Sequence, residues 1–143
     1  MDILHDFPIA GTRAAVFAAV STPEGLDRWW TLASAGESAL GATWQFDFGP
    51  GYQWEGVVLR FEQDRLIEWQ LTDADADWRG SRVRIALEDR PDGLTWVRFA
   101  HEGWREASEH YRISCYCWAM YLRHMKLWVQ DGVTVPYDRR LEV

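Results

Sequence analysis

No apolar run in this sequence approaches the ~20 residues that a membrane-spanning helix needs, which argues against a helical membrane protein. Basic residues are in deficit: fifteen Lys and Arg stand against twenty-two Asp and Glu, for a net charge of −7. A chain this acidic is a poor match for nucleic acid or an anionic membrane, both of which need a basic face. The opening "MDILHDFPI" lacks a basic start followed by an apolar stretch, so no secretory signal is read and a cytoplasmic location is expected. Cysteine is scarce. Cys115 and Cys117 lie two apart in a segment that reads as helix, and at ~100° per residue their side chains diverge by about 200°. They can neither pair nor share a metal from that helix, and they fit small buried hydrophobes in a reducing compartment better. No further ligands stand at zinc spacing, and no metal or cofactor is expected. A Ser or Cys nucleophile motif and a phosphate-binding glycine loop are also missing. "DADAD" at 73–77 suggests a cation loop, but it lacks the glycine and the closing glutamate, and it reads as a solvated acidic turn.

Aromatic residues are what the chain has in excess. Ten tryptophans, five tyrosines and six phenylalanines occur in 143 residues. They suit a thick core and the rigid walls of a binding site equally well. The length fits one domain, 1–143, with room for a substantial core.

"DILHDFPI" alternates Ile3, His5 and Phe7 against Leu4, Asp6 and Pro8, which predicts a strand. "GTRAAVFAAV" places Ala15, Val16, Ala19 and Val20 at helical spacing behind a Thr12 cap. "STPEGLDRWW" restarts a helix, with Ser21 or Thr22 as cap and Pro23 at its first turn. "SAGESALGA" reads as a loop. Five strand-like runs follow: "TWQFDFG", "QWEGVVLRFEQ", "RLIEWQLTD", "SRVRIALED" and "LTWVRFAHEG". Short joins such as "RPDGL" make them a meandering antiparallel sheet. From about Glu106 to Asp131 there is neither Gly nor Pro, and Gly132 then stops a long helix. Tyr111, Ser114, Cys115, Trp118, Leu122, Met125 and Val129 share one face of it, as packing on a sheet requires. Tyr116, Met120 and Leu127 lie together on the other side, a face suited to homodimer formation.

The order of elements is strand, two short helices, about five strands, then a long helix, which is an α+β arrangement. It resembles the START-like (SRPBCC), or birch-pollen-allergen-like (Bet v 1-like), helix-grip superfamily. Within that superfamily it is similar to bacterial proteins named for the activator of the heat-shock protein 90 ATPase. The stretches that carry the likeness are "PIAGTRAAVFAAVSTPEGLDRWW" (8–30), "GLTWVRFAHEGW" (93–104), "CWAMYLRHMKLWVQDG" (117–132) and "PY" at 136–137. Cys117 departs from the pattern, because family members often have glycine before that tryptophan.

The resemblance implies a curved antiparallel sheet wrapped around the C-terminal helix, with a cavity between them. The resemblance puts the "PEGL…WW" segment near the cavity mouth, and because adjacent helical residues diverge by ~100°, one of Trp29 and Trp30, namely Trp30, is expected to face inward while the other covers the surface. The remaining walls would be Trp44, Phe46, Val57 or Val58, Trp69, Ile85, Val97, Phe99, Trp118, Tyr121, Leu122 and Met125. Three functions stay open. The first is a carrier or sensor for an apolar or aromatic small molecule. The second is a polyketide cyclase- or dehydratase-like enzyme, with His101 moving protons beside the hydroxyls of Tyr111 and Tyr121. The third is a protein-interaction module, either co-chaperone-like or a homodimer through Tyr116, Met120 and Leu127. His5 and Arg60 are further polar candidates, the latter only if the Val58 parity is the inner one.

Overall fold

A computed structural model describes residues 1–142. Seven strands form one antiparallel sheet: β1 (Asp2–Ala10), β2 (Ala33–Ala35), β3 (Thr43–Asp47), β4 (Gln53–Glu62), β5 (Leu66–Asp73), β6 (Arg82–Arg90) and β7 (Leu94–Glu102). Their order across the sheet is β1-β7-β6-β5-β4-β3-β2, so chain neighbours pair throughout except where β1 joins β7. The sheet curls into a half-barrel around α3 (Glu109–Asp131), and two short helices, α1 (Arg13–Ser21) and α2 (Pro23–Leu26), follow β1. This is the helix-grip arrangement.

Local chemistry explains most boundaries. The Thr12 hydroxyl accepts from the Ala15 N–H at the start of α1, and the Thr22 hydroxyl accepts from the Gly25 N–H at the start of α2, just ahead of Pro23. Ser21, the other candidate cap, instead donates its hydroxyl back to the Phe17 carbonyl at 2.6 Å. The long helix begins at Glu109 rather than Glu106, because the Ser108 hydroxyl takes the Tyr111 N–H at 3.1 Å and caps it there. It ends in a left-handed Gly132 (φ 66°), with Gly132 N–H donating to the Trp128 carbonyl and Val133 N–H to the Leu127 carbonyl.

The strands divide their residues by period two. Val83, Ile85 and Leu87 of β6, and Val97 and Phe99 of β7, are buried on the concave face. The convex face carries ion pairs: Arg84 to Glu102 at 2.9 Å, Arg98 to Asp6 at 2.7 Å and Arg98 to Glu88 at 3.1 Å. Strand β4 breaks the alternation. Val58 pairs with Trp69 and Arg60 with Glu68, leaving Leu59 as the extra residue of a bulge. Val58 is therefore the inner valine, yet Arg60 on the same parity is exposed, and Phe61 turns inward against Phe17 at 5.7 Å. The short β2 was not legible in the loop-like "ASA", which acquires strand form only by pairing with β3.

Candidate functional site

Between the sheet and α3, aromatic rings pack in mutual contact. Trp30 lies 5.2 Å from Phe46, 5.3 Å from Phe48 and 5.0 Å from Trp118, centroid to centroid. Phe48 continues to Trp54 (5.0 Å), Trp54 to Trp78 (4.9 Å), and Trp78 back to Trp118 (5.7 Å). Five rings (Trp30, Phe48, Trp54, Trp78 and Trp118) thus close a circuit. Phe48 and Trp54 are its half-buried members; the other three are buried. Behind it, Trp44 and Phe46 meet Trp69 edge-on at 5.5 and 5.8 Å. Trp44 is seated on Gly36, where an added Cβ would come within 2.3 Å of its ring, and its indole N–H donates to the Glu37 carbonyl at 2.8 Å.

Of the residues expected to form walls, Trp30, Trp44, Phe46, Trp69, Ile85, Val97, Phe99, Trp118, Leu122 and Met125 are buried in this one cluster, and Tyr121 packs half-buried against it. The expectation of one inward and one surface tryptophan is corrected: Trp29 is 0% exposed and Trp30 3%. Residues 27–30 are a turn beyond the four-residue α2 rather than regular helix, so the divergence of helical neighbours does not apply. Both rings turn in and stack at 6.1 Å, with the Trp29 indole donating to the Ala19 carbonyl at 2.9 Å. Trp78 was missed altogether, because it sits in the acidic turn outside any periodic run. Asp77 of that turn anchors it to α3, accepting from the Ser108 hydroxyl at 3.2 Å and lying 3.4 Å from His110 Nδ1.

His101 is 0% exposed at the end of β7. Its Nδ1 accepts the Trp118 indole N–H at 3.1 Å, and its Nε2 lies 2.7 Å from Ser81 Oγ. An indole only donates, so Nδ1 carries no proton; the ring proton is on Nε2 and goes to Ser81. Ser81 in turn donates to the Trp78 carbonyl. Both ring nitrogens are therefore occupied, and burial drives the pKa from 6.5 down to about 3, with His110 adding repulsion. At neutral pH this is an uncharged, fully bonded imidazole. Its bonds tie β6, β7 and α3 together beside the ring circuit.

Other polar residues are placed differently. Tyr111 donates to the Asp2 carbonyl at 3.0 Å at the outer end of the helix. His5 is half-buried on β1, with its ring 6.2 Å from Phe99. Tyr121 is held protonated, its pKa pushed up to about 12 mainly by burial, with further contributions from Tyr137 and Cys117. Cys115 and Cys117 are free and half-buried.

The segment after α3 straps the end of this site. Arg140 is buried and donates to the carbonyls of Asp27 (2.7 Å), Val135 (3.0 Å) and Thr31 (3.2 Å). Its own carbonyl accepts from His124 Nε2 on α3 at 2.7 Å, and the Tyr137 hydroxyl donates to the Phe48 carbonyl at 2.8 Å. The strap thus joins the Trp29–Trp30 turn, α3 and the Phe48 margin of the circuit. Of its polar residues only Tyr137, in the "PY" pair, was noted from sequence, and only as part of the family likeness. An Arg pair beyond a helix stop gives no sign that three backbone carbonyls await the second of them.

Residues 10–130 match the family described as activator of Hsp90 ATPase homolog 1-like protein. The chain belongs to this family. Several solved structures share the fold. The Aha1 dimer from Colwellia psychrerythraea is 26% identical, with a TM-score of 0.83 over 92% of this chain and 98% of its own. A Staphylococcus saprophyticus protein is 21% identical, with a TM-score of 0.79 over 94% and 96%. CalU16 from Micromonospora echinospora is 18% identical, with a TM-score of 0.74 over 99% and 81%. No curated protein matches the chain. Among the described residues, no helix of this family member is long and apolar enough to cross a membrane.

Proposed function

We propose that this chain binds a flat apolar or aromatic small molecule between the sheet and α3, as a carrier or sensor rather than an enzyme. The observation that carries the reading is the closed circuit of five rings, half-buried at Phe48 and Trp54 and strapped by the tail. A flat guest enters by replacing one ring-on-ring contact with a ring-on-guest contact. Such a contact is worth ~0.5–1.5 kcal/mol either way, and parting packed rings costs about 1–3 kcal/mol more. Removing about 200 Å² of guest surface from water then contributes about 5 kcal/mol, which drives binding.

The state of His101 supports a non-catalytic role. A general base needs an open acceptor nitrogen near the reacting group; in His101 the acceptor already takes the Trp118 N–H. Tyr121, protonated at neutral pH, offers a hydrogen bond but no base.

Native mass spectrometry of the freshly purified protein, with a denatured control, tests the reading. An adduct lost on denaturation is expected, and Trp30→Ala should remove it. A bare mass, together with no change in tryptophan fluorescence across a panel of two- and three-ring aromatic compounds, would sink the proposal.

Self-association is a second reading, favoured by Tyr116, which is 67% exposed one turn from the exposed Ile113 and on the same helix as the exposed Leu127. A family member of solved structure is a dimer.

A further inference from the structure

An opening lies outside the ring circuit, where the free edge of β1 runs beside α3. It encloses about 430 Å³, within the range of small-molecule sites. Phe7 of β1 and Leu122 and Leu127 of α3 supply apolar surface, while Arg123 and Lys126 supply charge. Neither cation has an ion-pair partner among the described residues. The one acid lining the groove, Asp6, is drawn to the convex face by Arg98 at 2.7 Å. The groove is therefore a positive spot on a chain of net charge −7. His5 also lines the groove, and its Nε2 is buried without a partner.

An added strand does not suit the edge. The Ala10 N–H points out of the sheet to Gln130 Oε1 at 2.8 Å, and the alternation of the ladder turns the backbone of Pro8 the same way. Pro8 has no N–H to give a new strand, and α3 lies alongside. The occupant that fits is small, apolar along its length and negatively charged at one end.

We propose that this groove binds an amphiphilic carboxylate, with its carboxylate between Arg123 and Lys126 and its chain over Phe7, Leu122 and Leu127. The site does not depend on the ring circuit being a binding site.

Lys126 is the only lysine in the chain, so reductive methylation with ¹³C-formaldehyde labels this one side chain besides the N-terminal amine. Titration with decanoate, below its micelle concentration, should move the Lys126 methyl resonance saturably. The affinity should fall at least tenfold in Arg123→Glu, and decan-1-ol should bind at least tenfold more weakly than decanoate. Trp30→Phe should leave the titration unchanged. The proposal is overturned by a non-saturating shift, by equal affinity for the acid and the alcohol, or by equal affinity in Arg123→Glu. Loss of decanoate binding in Trp30→Phe would also overturn it, because the ligand would then sit in the ring circuit.

Discussion

His101 shows how a residue that looks like chemistry can be committed to structure. The imidazole is bonded at Nδ1 by Trp118 and at Nε2 by Ser81, and protonating Nδ1 would break the first bond inside a dry site. The consequence is a definite pH dependence. Well above pH 6.5 the ring is neutral in both folded and unfolded chains and contributes no slope. As pH falls from 6.5 toward about 3, the unfolded chain takes up a proton that the folded chain refuses, so stability is lost. The loss is up to ~1.4 kcal/mol per pH unit from this group and levels off below its folded pKa. Urea midpoints at pH 7 and pH 4 should therefore converge in His101→Gln. The variant is expected to lose about 3 kcal/mol less than the parent between the two pH values. Equal losses would mean that His101 is accessible to protons in the folded protein.

At the scale of elements, the tail is held by directional bonds more than by apolar burial. Arg140 satisfies carbonyls from the α2 turn and from its own approach, and His124 holds its carbonyl to α3. Arg140→Met keeps much of the volume but removes every donor, so it should cost about 3 kcal/mol. The released segment should show faster hydrogen exchange across 27–34 and 133–142, with the β6–β7 hairpin unchanged. A uniform rise across the sheet would instead mean that the strap is part of the cooperative core. If the circuit under Tyr137 is a ligand site, the same variant should also speed dissociation of its guest, since Tyr137 ties the strap to Phe48 at the circuit's margin.

For the whole molecule, the proposed self-association rests on the back of α3. Tyr116 and Leu127 are exposed and Met120 is half-buried on that face. Sedimentation velocity at rising concentration should show a monomer–dimer equilibrium, and Tyr116→Glu should shift it to monomer by burying an unpaired charge at the contact. A strict monomer in both proteins would leave that face as ordinary surface.

The fold was readable along the chain because period and punctuation are local properties. Val83, Ile85 and Leu87 alternate, Thr12 and Thr22 cap, and Gly132 stops α3, each through chemistry within a few residues. The concave face was readable too, up to the bulge at Leu59, where one extra residue exchanged inside for outside. What tertiary structure decided was every arrangement that depends on distant partners. Trp29 turns inward because residues 27–30 leave the helix, and Trp78 reaches the circuit from a loop by packing on Trp54 and Trp118. His101 meets an indole seventeen residues away and a hydroxyl twenty residues away, and Arg140 meets carbonyls more than a hundred residues back. Hydrogen bonds of that reach leave no periodic trace in a sequence. They exist only once the sheet has curled around its helix.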